Sequence, residues 1–115
     1  EKLFIDSVDF DFALRVSAAG YNVIRINAPL LSHKLGTPTK KYGLESSNHN
    51  LLRRYYYSRN HYFLTKTYFY KFPFWILKKN FFFIKSILLL ILVEENVYEK
   101  MKNVLNGIKD GYKGF

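Results

Sequence analysis

No cysteine occurs in the 115 residues, so the chain can have neither a disulfide framework nor a thiolate metal site. Walker loops, dinucleotide fingerprints, zinc-ligand spacings and internal repeats are also missing, which removes the chemistries that announce themselves by such motifs. Acid is scarce in the middle of the chain: from Phe12 to Val93, Glu45 stands alone against thirteen Lys and Arg, within a net charge of +9. A basic, aromatic block of this kind suits nucleic acid, anionic lipid headgroups or a phosphorylated substrate, and composition alone does not choose among them. No signal peptide opens the sequence. It begins with Glu1, on the edge of a motif, as a fragment would.

Apolar residues, by contrast, are abundant. Hydrophobic residues make up 49% of the chain, with 10 Tyr and 11 Phe. A body of this size is one domain at most and buries about two thirds of its unfolded surface. Some of the aromatic surface should therefore face a partner or lipid.

The densest chemistry lies in Phe4–Arg15, FIDSVDFDFALR. Asp6 or Ser7 can cap a helix, Asp9 then falls in its first turn, and Val8, Phe12, Arg15 and Ala19 keep helical spacing until Gly20 stops it. Asp6 and Asp9 share a face and Asp11 can pair with Arg15, whereas Asp9 and Asp11 point about 200° apart. The two later aspartates therefore have different jobs. A capping pair stabilised by the helix dipole is the simplest reading of Asp6 and Asp9.

Two short strands are expected at Tyr21–Asn27 and Leu30–His33, either side of Ala28-Pro29, and a mobile loop at Gly36–Ser47. Ser47 or Asn48 can cap a helix that runs from His49 to Lys71. There Arg53, Arg54 and Arg59 can pair bidentately with phosphate while tyrosines supply stacking faces; the alternative is a solvated basic face with tyrosines packed inward. Phe72-Pro73 ends that helix and starts another. Phe74–Val93 has the length of a membrane span, yet Lys78, Lys79 and Lys85 cost about 2.5–3.5 kcal/mol each near a bilayer centre. With Lys71, Lys78 and Lys85 in one stripe, a helix lying in the interface or a buried dimer helix fits better. Glu94–Ile108 reads as an amphipathic helix that Gly107, Gly111 and Gly114 fray out.

The order Asp9, Asp11, Leu14, Arg15, Gly20, Tyr21 and then a strand resembles the acceptor side of bacterial family 2 glycosyltransferases, in the rhamnosyltransferase-like branch. Val8-Asp9 stands where the family's commoner form has Glu-Asp. Arg54-Tyr55-Tyr56 followed by Arg59-Asn60 is a second match, and the Asp110-Gly111 tail extends the likeness over nearly the whole chain. The resemblance implies that Asp9 is the general base of an inverting transfer, oriented by Asp11 and Arg15, because such a displacement needs one well-placed carboxylate to take the acceptor proton. It further implies that His33 reaches a metal or the nucleotide diphosphate, that Arg54, Tyr55, Tyr56, Arg59 and Asn60 bind substrate, and that residues 36–47 close over the site.

The fold so implied is an α/β fragment, mostly helical. Residues 1–47 would supply two short strands and one helix at the edge of a GT-A type sheet, and residues 48–115 two or three long helices on a membrane surface or in a dimer. The implied partners are a nucleotide-sugar donor, with rhamnose among the sugars considered, and a saccharide or lipid-linked acceptor of a cell-surface polysaccharide, with no nucleic acid. The implied cofactor is a divalent metal, Mg or Mn, in the intact enzyme and none in the fragment. The implied location is the bacterial cytoplasm, peripheral to the inner face of the membrane, as a homo-oligomer. Without a donor-binding half, the chain alone is expected to be inactive. Two other classes stay open: a basic aromatic helical module binding nucleic acid through Arg53, Arg54 and Arg59, and a structural dimerisation or membrane-anchoring domain built on Phe74–Val93.

Overall fold

A computed structural model describes residues 3–24, 26–27 and 38–114. About two thirds of the described residues are helical, in four helices accompanied by one two-stranded antiparallel sheet. Helix α1 spans Val8–Ala18. Its end forms as the sequence predicts: Gly20 takes φ +88, the amide of Gly20 bonds Ser17 O and the amide of Tyr21 bonds Val16 O, the paired bonds of a Schellman closure. The start differs from the expected cap. Ser7 occupies the N-cap position with φ 68 and its side chain makes no capping bond, because this left-handed residue is placed by the turn before it.

The strands are not where alternation put them. Tyr21–Ile24, Ile26 and Asn27 form no strand, and Tyr21, Val23, Ile24 and Ile26 are exposed. A β-branched run becomes a strand only beside a partner edge, and none lies beside it among the described residues. The proposed strand at Leu30–His33 lies outside the described residues. The sheet comes instead from the second half of the segment read as a loop. β1 (Thr39–Lys41) pairs with β2 (Leu44–Ser46) through Tyr42 and Gly43, both at positive φ, 53 and 74. Two positive φ values are what the twist of a two-residue hairpin requires, and Gly43 supplies the second at no steric cost.

Asn50 caps α2 (Leu51–Tyr68), its side chain accepting from the Arg53 amide at 2.8 Å, so the cap lies two to three residues beyond Ser47 and Asn48. Pro73 begins α3 (Pro73–Val93) after the predicted break at Phe72. That helix stops at Glu94, and α4 (Val97–Lys113) starts after Asn96, which is left-handed with φ 54. Glu94 is thus a junction residue and not the first turn of the last helix. Gly107 and Gly111 do not fray α4 either: both are buried within it. Spaced one turn apart, they let its backbone lie against α2. A Cβ at Gly107 would stand 2.3 Å from Tyr55 O, and one at Gly111 2.8 Å from Arg59 O. Gly107→Ala is expected to lower stability by about 3 kcal/mol through overpacking against a backbone that cannot yield, while exposed Asn106→Ala stays within about 0.5 kcal/mol. Urea unfolding of both variants checks this, and an unchanged Gly107→Ala midpoint contradicts the close approach.

Two apolar clusters hold these elements. Leu3, Leu14, Leu64, Tyr68 and Ile76 join α1 to the end of α2 and the start of α3, flanked by Val8, Phe63, Phe72 and Trp75. Phe83, Leu90 and Val104 join α3 to α4, flanked by Tyr57, Ile87, Val97, Met101 and Ile108. Leu105 of α4 is 60% exposed, although it lies next to buried Val104 in sequence.

Candidate functional site

The turn before α1 and the middle of α2, some fifty residues apart in sequence, meet in space. The segment before α1 is wound tightly: the Asp6 amide bonds Phe4 O across Ile5, which has φ 69, and Ser7 follows at φ 68. A β-branched residue at positive φ costs of order 1–3 kcal/mol and persists only where its surroundings impose it. Here α2 imposes it. Asn60, fully buried, donates from Nδ2 to Phe4 O at 3.0 Å and Asp6 O at 2.6 Å. Arg53 grips the Asp6 carboxylate with Nε and Nη2 at 3.2 and 3.3 Å, and the Phe4 ring stands edge-on to Tyr56 at 5.1 Å. The acidic helix start is therefore fixed by Arg53, Tyr56 and Asn60 of α2, while Arg54 and Tyr55 of the same motif bond elsewhere.

Within that frame the aspartates separate as their spacing requires. Asp11 accepts from Tyr68 Oη at 2.7 Å and pairs with Arg15 at 3.1 Å. Burial first, and then the bond to Asp11, push the Tyr68 phenol up to about 12. Asp9 is exposed in the first turn and makes no hydrogen bond or ion pair among the described residues. A carboxylate left open at a helix start, on a backbone held by a buried amide, can accept a proton from a bound group. Asp6, read as a cap, is engaged by Arg53 instead.

Of the other residues in the second motif, Arg59 lies over the Tyr56 ring at 4.7 Å and reaches Asn60 Oδ1 at 3.3 Å, so Asn60 links it to the strained turn. Tyr55 donates to Asp110 at 2.9 Å, and burial, followed by that bond, raises its pKa. Arg54 faces the interior, 1% exposed. Beside α1, Phe10, Ala13, Leu14, Ser17, Phe72 and Trp75 line a cleft of about 230 Å³. Lys79 Nζ sits 3.6 Å from the centre of the Phe10 ring, and burial lowers its pKa.

Sequence reasoning missed the ionic hub around Glu94. Its carboxylate, wholly enclosed, accepts from Arg54 Nη2, from Ser46 Oγ and from Lys100 Nζ at 2.9 Å; Arg54 also donates to Ser86 Oγ at 3.0 Å, and Lys100 to Asn48 at 2.7 Å. One acid thereby ties β2, α2 and α4 at the end of α3. Burial pushes the Glu94 carboxyl up, but the bonds from Ser46 and Lys100 and the charges of Arg54 and Lys100 outweigh it and hold the carboxyl below its usual range. Nearby, burial and then Arg53 and Arg54 lower the pKa of His49. The available signal was that Glu94 is the first acid in the 49 residues after Glu45.

His33, the implied metal ligand, lies outside the described residues. No group of three or more His, Asp and Glu among the described residues could hold a metal ion. Comparison with known proteins adds no relative: no family model, curated protein or solved structure matches the chain.

Proposed function

We propose that this chain is the acceptor-side, C-terminal part of an inverting glycosyltransferase, with Asp9 as the base that takes the acceptor hydroxyl proton. The observation that carries this reading is the clamp itself: buried Asn60 and the Arg53–Asp6 pair hold a strained turn from which α1 presents Asp9 unpaired. Backbone strain maintained by buried polar bonds is characteristic of positions where geometry matters. Asp11, held by Arg15 on its own helix and by Tyr68 at the end of α2, then fixes the orientation of α1 rather than reacting. The aromatic-lined cleft along α1 is apolar enough to stack one face of a sugar ring. The exposed Tyr21, Val23, Ile24 and Ile26 suit an edge strand whose sheet neighbours belong to a donor-binding half.

In the transfer, Asp9 removes the proton as the acceptor oxygen attacks the anomeric carbon, and the nucleoside diphosphate departs from the opposite face. The donor half would supply nucleotide binding, and a divalent metal with His33 as a candidate ligand would stabilise the charge on the departing diphosphate. The experiment is to assay sugar transfer from nucleotide-sugars by the full reading frame that encodes this chain, and by residues 1–115 alone. The full product should transfer and the isolated chain should not. A reading frame without a nucleotide-binding half, or a full product inert toward every nucleotide-sugar, overturns the proposal.

A further inference from the structure

The core-facing side of α3 is marked by Ile76, Phe83 and Leu90, seven residues apart and each buried. Roughly 130° around the helix runs a second apolar row, Phe74, Leu77, Phe81, Ile84, Leu88 and Ile91, at alternating spacings of three and four. Its members are 86, 55, 65, 57, 54 and 48% exposed. From end to end the row covers about 26 Å of helix. Lys78 and Lys85 follow its border and Lys71 lies in the turn just before α3, all three exposed. No helix of the described residues is long and apolar enough to cross a membrane, so this face calls for a partner alongside it.

We propose that this face of α3 docks on an anionic lipid surface, with the apolar row entering the acyl boundary and the lysines meeting headgroup phosphates. Charge complementarity selects this occupant. No acid occurs between Glu45 and Glu94, so a second copy paired through the same row would bring no carboxylate from its own α3 to meet the lysines. An anionic headgroup layer supplies the missing charge, and the lysine stems cover the flank of the apolar row while their ammonium groups stay wet. The opposite face of α3 remains packed on the core, so docking needs no unfolding. The inference is independent of sugar transfer and requires only this chain.

The test is co-sedimentation of residues 1–115 with vesicles of phosphatidylcholine alone and of phosphatidylcholine with phosphatidylglycerol. Binding should be at least tenfold tighter to the anionic vesicles and weaken with salt. Replacing Lys71, Lys78 and Lys85 together with Glu should lower it by roughly 100-fold or more. Phe81→Ser with Leu88→Ser should also release the protein while leaving its helical circular dichroism spectrum unchanged, since both side chains are exposed. Equal binding to neutral and anionic vesicles overturns the proposal. So does failure to bind either, whether light scattering then shows a monomer or a dimer that survives the triple lysine replacement; the dimer would assign the face to a second copy.

Discussion

Glu94→Ala should cost about 3–5 kcal/mol of folding stability, a large part of the roughly 5–15 kcal/mol that holds a domain of this size. The effect is large because the substitution strands two cations. Arg54 and Lys100 have side chains only 1% and 9% exposed, and both meet the Glu94 carboxylate. Removing it leaves their charges in a poorly solvated interior, and Ser46 also loses its acceptor. Urea unfolding reads the loss directly. Replacing Arg54 and Lys100 by Met together with Glu94→Leu should recover much of it, because a well-packed apolar set of similar volume can equal a buried ionic one. The same carboxylate sets a pH dependence. Its pKa is depressed in the fold, so its contribution is fully present above the ordinary glutamate value of 4.5 and is lost as pH falls through the folded value. Acid unfolding should therefore begin below about pH 4.5 in the parent protein and lose that component in the triple apolar variant. A Glu94→Ala loss under 1 kcal/mol would show that the hub does not organise the fold.

What could be read from the residues was local. Phe72-Pro73 marked the boundary between α2 and α3 because proline carries its own backbone preference, and Gly20 ended α1 for the same kind of reason. Helical spacing gave α1, α2 and α3 nearly to their ends. Long-range pairing was not legible. Nothing near Glu94 announces Arg54 forty residues earlier, and Asn60 shows its role only once Phe4 and Asp6 lie beneath it. Gly107 and Gly111 do not declare their role, because glycine that weakens a lone helix and glycine that admits a neighbouring backbone look alike in sequence. The hairpin is hidden in the sequence because Tyr42-Gly43 lacks the asparagine or aspartate that usually signals such a turn. In the candidate site, spacing alone separated Asp9 from Asp11; the buried clamp that fixes the start of α1 needed three dimensions.

The measurement that bears most directly on the account is sugar transfer by Asp9→Asn in the product of the full reading frame, followed alongside nucleotide-sugar affinity. Positioned general bases contribute about 10²–10⁴ in rate, so kcat should fall by about 10³-fold while the donor Kd stays within about twofold. Asn is close to isosteric with Asp, and Asp9 makes no bond to the described residues, so the fold should be unaffected. Asp11→Asn behaves differently, weakening the contacts to Tyr68 and Arg15 and costing about 1–2 kcal/mol of stability with a smaller loss of rate. Transfer by Asp9→Asn within tenfold of the parent would contradict the assignment of Asp9, and with it the reading of this chain as the acceptor side of a glycosyltransferase.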